Sequence, residues 1–491
     1  MHLLQGSLHH MVLDYVTIIL ELFVINAALS LMIIFLERKK PISTLLWVFA
    51  INFLPGIGFL LYLILGQDLS KSKMFRKKRT EDERMQEFAQ GQLKALEEGR
   101  FAQDEPLVQK YVGMVEMFNR AENEVLTRKN SVEIFEDGHE KFHCLFEDLK
   151  AAKESIFVQY YIFKSDGLGT EFMNILKEKA REGLTVHLLV DGMGARGLKL
   201  KDRRALKEAG VDVAIFFPGI LPRVNTHMNF RNHRKLVVID GVIGYLGGFN
   251  VGDEYIGKDP RFGKWRDTHL RIVGPAVSFL QWRFFLDFRF ASEDGEKAVL
   301  PSVAPPREGD VPMCIVTSGP DTKANAIRNG YDEVIRRAER EIYIQTPYFV
   351  PDDGLLYSLK IALMRGVKVH IMIPKKRDHP FVHWASVSFL GELLELGAEV
   401  YMYTGGFLHT KLVFADDEVA GIGTANFDIR SFELNFEVNA FIFNNKTVSH
   451  FRESFWNDVK ESERYTYQDY MTRSIPVRVK ESISRLLSPV L

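Results

Sequence analysis

The chain has little cysteine, no surplus of charge of either sign, and no spacing of ligating residues that suits a metal. Its 491 residues include two cysteines, Cys144 and Cys314, far apart and each in an apolar context. That usage excludes a disulfide framework and reads as buried free thiols. Lysine and arginine number 63 against 64 aspartates and glutamates, so the basic excess of a general nucleic-acid binder is missing. No basic stretch precedes the first apolar run, and a second run follows at once, which argues against a cleaved signal peptide.

Long apolar runs are present, and both lie near the amino terminus. Tyr15 to Leu36 and Leu45 to Leu65 are almost wholly apolar, each about 20 residues, the length that crosses a bilayer. Glu21 lies near one end of the first and is expected to reach the interface. Pro55-Gly56-Ile57-Gly58 predicts a kink in the second. Between the runs sits Glu37-Arg38-Lys39-Lys40-Pro41, and after them come Lys71, Lys73, Arg76, Lys77, Lys78 and Arg79. Counting basic residues places the large carboxy-terminal part in the cytoplasm. A hairpin that dips in and returns satisfies both basic clusters equally. The abundance of aromatics, 37 Phe and 16 Tyr, suits a chain that packs a core and also meets lipid.

The expected organisation is a pair of transmembrane helices over 1–70 and a basic, amphipathic helical linker over 71–130. One α/β lobe follows over 131–290, an interlobe linker over 291–310, and a second lobe over 311–491 with an amphipathic tail. In the first lobe Ile156–Tyr160 and Val186–Val190 read as strands around a helix, and Val211–Phe216 as a third strand. The second lobe repeats the order with Ile342–Thr346, Val369–Ile373 and Val400–Tyr403. Alternating strands and helices imply a mixed sheet covered on both faces, with ligands at the carboxyl ends of the strands. Pro476 to Leu491 alternates apolar and basic residues, as a helix lying on a membrane or on the protein's own surface does.

Within the repeat, one stretch is written twice. Arg231-Asn232-His233-Arg234-Lys235 runs through an apolar segment to Asp240, and Leu408-His409-Thr410-Lys411 does the same to Asp416. Each copy reaches an asparagine, Asn250 and Asn426, 17 residues beyond its histidine. Strand alternation puts His233 with Lys235, and His409 with Lys411, on one face. Asp240-Gly241 reads as a turn whose returning strand brings Asn250 toward His233. Two imidazoles, two ammonium groups and two amides facing one another suit a phosphodiester. A lysine two residues from each histidine makes metal coordination unattractive, and no metal or cofactor is expected. His187 and His370, inside apolar strands, are expected in the core, and His139 and His143 lack further ligands.

The repeated His-x-Lys-x4-Asp resembles the phospholipase D superfamily. Gly247-Gly248-Phe249-Asn250, Trp265-Arg266-Asp267-Thr268-His269, Gly423-Thr424-Ala425-Asn426 and Asn435-Phe436-Glu437 resemble one branch of it, the bacterial cardiolipin synthases. The resemblance implies two tandem phospholipase D-like lobes related by a pseudo-two-fold axis, preceded by a transmembrane hairpin, with one active site between the lobes. It makes His233, Lys235, Asp240, His409, Lys411 and Asp416 the catalytic set. The odd spacing of Asp240 and Asp416 from their histidines nevertheless sets them on the opposite strand face, where a structural role is expected. Asn250 and Asn426 are expected on phosphate oxygens, and the resemblance gives Asp267 and Glu437 the task of orienting the histidines. It implies His233 as nucleophile, His409 as general acid, and transfer of a phosphatidyl group from one phosphatidylglycerol to another, giving cardiolipin and glycerol. Hydrolysis by a membrane phospholipase D-type enzyme is the alternative, and a catalytically dead scaffold is disfavoured by two intact motifs.

Overall fold

The computed structural model describes residues 17, 20–35, 41–65, 83–101, 103, 105–218, 230–292, 306–322 and 324–488. The amino-terminal residues to Lys77 fall in one compact unit, and Lys78–Pro218 with Phe230–Leu491 form another.

In the amino-terminal unit the chain is helical over residues 20–35, Pro41–Phe53 and Ile57–Leu65. Ile33, Ile51 and Tyr62 are buried together, Trp47 meets Tyr62 edge-on at 5.4 Å, and Asn52 donates to Ser30 at 3.0 Å. Most other large apolar side chains here are exposed, among them Phe23, Leu31, Phe35, Phe49 and Phe53. The expected second span is not one continuous helix. It breaks at Pro55-Gly56, where Gly56 takes φ +78°, a left-handed conformation that costs glycine little. Among the described residues no helix is long and apolar enough to cross a membrane. Both basic clusters flanking the second run, Arg38 to Lys40 and Lys71 to Arg79, lie outside the described residues.

The larger unit holds one mixed sheet of sixteen strands and two separate two-stranded pairs. Its first half contributes β1 (Leu126–Phe135), β2 (Ser155–Tyr160), β3 (Thr185–Asp191), β4 (Asp212–Phe216), β5 (Arg231–Asn232), β6 (Leu236–Ile239), β7 (Ile243–Gly247), β8 (Trp265–Arg266) and β9 (His269–Val273). The second half contributes β10 (Val311–Ser318), β11 (Glu341–Gln345), β12 (Phe349–Val350), β13 (Lys368–Pro374), β14 (Glu399–Tyr403), β15 (Phe407–Leu408), β16 (Leu412–Ala415), β17 (Val419–Gly423), β18 (Phe427–Asp428), β19 (Asn435–Phe443) and β20 (Ser462–Tyr465).

Outward from the centre the first half runs β1-β9-β7-β6-β2-β3-β4, and the second runs β10-β19-β17-β16-β11-β13-β14-β20. The halves share their topology apart from the added β20, and they join where β1 pairs antiparallel with β10, Leu126 opposite Cys314. Central strands such as β2, β6, β11 and β16 are buried almost throughout, as their unbroken apolar sequences require when helices cover both faces. His187 lies 4.5 Å from the Phe288 ring and His370 stacks on Tyr343 at 4.7 Å, both as core residues.

β1 begins at Leu126, inside the segment read from sequence as a helical linker to residue 130; the last linker helix, Val112–Glu122, ends at a left-handed Asn123. That helix packs on the second half, with Phe118 and Phe441 rings 4.8 Å apart. Helix Ala276–Ala291 takes up the start of the interlobe linker, and residues 293–305 of that linker lie outside the described residues.

Candidate active site

Two short parallel pairings carry the motif histidines to the acids that hold them. β5 pairs with the start of β19, Asn232 opposite Phe436, and the His233 backbone N–H donates to the Phe436 carbonyl at 3.0 Å. β15 pairs with β8, Leu408 opposite Arg266, and the His409 N–H donates to the Arg266 carbonyl at 2.7 Å. The next residue on each partner strand is the acid. His233 Nδ1 lies 2.9 Å from Glu437 Oε1, and His409 Nδ1 lies 2.6 Å from Asp267 Oδ2. Each half therefore supplies the carboxylate that orients the other half's histidine. With Nδ1 facing a carboxylate, the proton sits on Nδ1 and Nε2 keeps its lone pair.

The acids are themselves fixed. Glu437 accepts from Thr424 Oγ1 at 2.6 Å and Asn435 Nδ2 at 3.2 Å, and Asp267 accepts from the Thr268 N–H at 2.8 Å. Gly248 makes room for Asp267, since a Cβ there would lie 1.9 Å from its Oδ1. Behind each acid stands a buried arginine. Arg234 donates to the Glu437 carbonyl at 3.0 Å and to Asp287 at 2.7 Å, and Gln159 donates to the same Asp287 at 2.8 Å. Arg266 donates to the Asp267 carbonyl at 2.8 Å and to Asp458 at 3.0 Å, and Gln345 donates to Asp458 at 2.9 Å. The halves reach the same end differently: one arginine comes from the histidine's own strand, the other from the acid's. Sequence reasoning saw the matching offset of Gln159 and Gln345 but not their partners, because Asp287 and Asp458 lie on helices far along the chain.

The lysines complete the pocket. Lys235 Nζ donates to the His233 carbonyl at 2.6 Å, and Lys411 Nζ donates to the His409 carbonyl while standing 3.9 Å from Asp267. Tyr161 meets His233 at 5.0 Å between rings, and Trp265 meets His409 at 5.1 Å. Burial, with Lys235 adding to it for His233 and Lys411 for His409, lowers both imidazoles to about 4 against the opposing pull of Glu437 and Asp267. Burial lowers Lys411 to about 8 and drives Lys235 well below its usual range. Burial raises Asp267 and Glu437, but Lys411 and His409 on the former and His233 and Lys235 on the latter outweigh it and hold both carboxyls low. The pocket thus holds two neutral imidazoles and two lysines destabilised by dehydration, Lys235 also by Lys411. An entering phosphodiester anion relieves that strain and raises all four groups.

Asp240 and Asp416 are not brought to the pocket, which corrects their place in the catalytic set. Asp240 accepts from the backbone N–H groups of Lys153, Glu154 and Ser155 at 2.8 to 2.9 Å, and Asp416 from those of Glu339, Arg340 and Glu341 at 2.6 to 2.9 Å. Both sit at positive φ in the hairpin turns and tie them to the starts of β2 and β11. Asn250 is already engaged: its Oδ1 accepts from the Ile162 N–H at 3.0 Å, and its Nδ2 donates to Tyr255 at 3.2 Å. Asn426 Nδ2 donates to Asp428 at 3.1 Å, while its buried Oδ1 has no hydrogen-bond partner among the described residues.

Comparison with known proteins places these features. A family model described as cardiolipin synthase, PLD-like domain matches residues 145–259 and 331–459, and one described as phospholipase D-nuclease N-terminal matches residues 24–67. A cardiolipin synthase of Oceanobacillus iheyensis is 48% identical over 96% of this chain and 98% of its own. The major cardiolipin synthase ClsA of Bacillus subtilis is 44% identical over 97% and 99%. Among solved structures, the phosphatidylserine synthase of Haemophilus influenzae matches with TM-score 0.59 at 15% identity, covering 73% of this chain and 95% of that one, a likeness of fold.

Proposed function

The chain belongs to the cardiolipin synthase family of phospholipase D-like enzymes, and from that premise we propose how its residues carry out phosphatidyl transfer. The enzyme is a phosphatidyltransferase that makes cardiolipin. Its substrate is phosphatidylglycerol, used as both donor and acceptor. The observation that carries the mechanism is the reciprocal pairing of His233 with Glu437 and His409 with Asp267.

His233 Nε2 attacks phosphorus, and the bond from phosphorus to the glycerol headgroup breaks. The bound anion has by then raised His409, which gives its proton to the departing glycerol oxygen. The phosphatidyl group is left on His233. The glycerol hydroxyl of a second phosphatidylglycerol gives its proton to His409 and attacks phosphorus, freeing His233 and forming cardiolipin. Two phosphatidylglycerols become one cardiolipin and one glycerol. Lys235 and Lys411 stabilise the charge on the equatorial oxygens, with the second N–H of Asn250 and Asn426 as further donors. No metal is assigned a role.

The same reading makes the amino-terminal helices a membrane hairpin. It is supported by the exposed apolar side chains over residues 20–61 and by the family match over 24–67. Helices of 13 and 9 residues rise about 20 and 14 Å against a hydrocarbon core of about 30 Å. Tyr62 lies back against Trp47 and Ile51, so the second helix returns along the first and the pair dips in and returns. The catalytic lobes face the cytoplasm on the strength of the basic cluster Lys71 to Arg79. Single-cysteine labelling of intact cells at Lys39 and in the interlobe linker tests this, and labelling of the linker from outside overturns it.

The reaction is tested with purified enzyme and phosphatidylglycerol alone. Cardiolipin with equimolar glycerol is expected, whereas phosphatidic acid as main product makes the enzyme a hydrolase.

A further inference from the structure

Helix Ile475–Leu486 lies against helix Pro380–Glu395 with its polarity inverted. The side chains it buries are Glu481 and Ser484. Its Arg485 donates to the Ser388 carbonyl at 3.3 Å and to Glu392, with the guanidinium 4.4 Å over the Phe389 ring. Among the side chains it exposes is an apolar set: Ile475 at 75%, Val479 at 51%, Ile483 at 50% and Leu486 at 71%. At 3.6 residues per turn these four share about a quarter of the circumference. Arg478 and Lys480, both exposed, flank the stripe on either side. A surface helix ordinarily buries its apolar stripe against the core. An exposed stripe between basic residues is the pattern of a helix lying in a bilayer interface, its charged ends reaching up to the headgroups.

A second observation ties this stripe to the reaction. Lys480 Nζ lies 5.0 Å above the Trp384 ring, and the Arg377 guanidinium lies 6.0 Å from it. Phe381, half exposed, meets Trp384 edge-on at 5.8 Å. Lys376 and Arg377 are exposed just beyond the carboxyl end of β13, and the next residue, Asp378, accepts from the Tyr348 hydroxyl. The Asp378 charge also acts on Lys411. The surface therefore runs from the apolar stripe, through an aromatic pair between two cations, to the edge of the catalytic pocket.

We propose that this surface sits in the headgroup layer of an anionic bilayer and sets the pocket's mouth on the leaflet from which lipid enters. The proposal rests on the membrane-lipid substrate read above and adds a docking face on the catalytic lobe. Its basic flanks suit anionic headgroups. A second copy of the chain, packed stripe to stripe, would bring those like charges together.

The test uses the full chain in vesicles of phosphatidylglycerol and phosphatidylcholine. A fluorophore is placed on Val479→Cys in a Cys144→Ser background, with Glu208→Cys as the comparison site. Lipids brominated on the acyl chains are expected to quench the label at 479 and leave that at 208 unchanged. Val479→Asp with Ile483→Asp, both at exposed positions, is expected to raise the surface phosphatidylglycerol needed for half-maximal rate about tenfold. The rate on dispersed short-chain phosphatidylglycerol is expected to stay the same. Equal access of aqueous iodide to both labels, without lipid quenching, overturns the proposal. So does energy transfer between labelled copies in place of lipid quenching. Failure of the unmodified enzyme to form cardiolipin counts against the functional reading instead, because quenching is read without turnover.

Discussion

At the scale of single residues, the site works through proton positions. Both imidazoles are lowered to about 4 and Lys411 to about 8. The nucleophile must be neutral and the general acid protonated. Both imidazoles stand at about 4 in the free enzyme, so kcat/KM peaks near that pH and falls on either side. Lys411 must be charged, so a further, upper limb steepens the fall as pH climbs through about 8. Lys411→Arg is expected to remove the upper limb, since a guanidinium keeps its proton throughout; an unmoved limb would assign it to another group. Glu437→Gln keeps a hydrogen bond but no longer fixes the tautomer, and it should lower kcat about a hundredfold or more. Kinetics and circular dichroism on the same preparation check that the loss is in turnover and not in folding. His233, His409 and both lysines were legible from spacing alone. The acids were legible only through resemblance, because Glu437 is 204 residues from His233 and nothing local joins them.

At the scale of elements, turns and short strands do the positioning. Period-two alternation rightly set Asp240 and Asp416 apart from their histidines, although the motif groups all six residues together. Each accepts three backbone N–H groups at the base of a hairpin. Asp240→Ala is therefore expected to cost about 2–4 kcal/mol of stability while leaving kcat per folded molecule nearly unchanged. Denaturant unfolding beside active-site titration decides it, and a large loss of kcat at unchanged stability would return Asp240 to the chemistry. The two-residue strands β5, β8 and β15 were not legible. Their pairing partners come from the other half, and two residues carry no periodicity. The break at Pro55-Gly56 was foreseen as a kink, and the structure makes it a full interruption.

At the scale of the whole catalytic unit, the duplication was legible because its strands recur in order, but its closure was not. The halves share one sheet through β1 and β10, and each is incomplete without the other's acid. Cleavage at a protease site inserted within residues 293–305 should therefore leave activity within about twofold, since the β1–β10 pairing and both histidine–acid pairs are untouched. Either half expressed alone should be inactive; activity from one half alone would break the reciprocity. That reciprocity is tested most directly by mass spectrometry of acid-labile adducts, after brief reaction with a phosphatidyl donor whose leaving group needs no protonation. Asp267→Asn is expected to accumulate a phosphatidyl adduct on His233, and Glu437→Gln to show none. An adduct on His409, or equal adducts in both variants, would contradict the account.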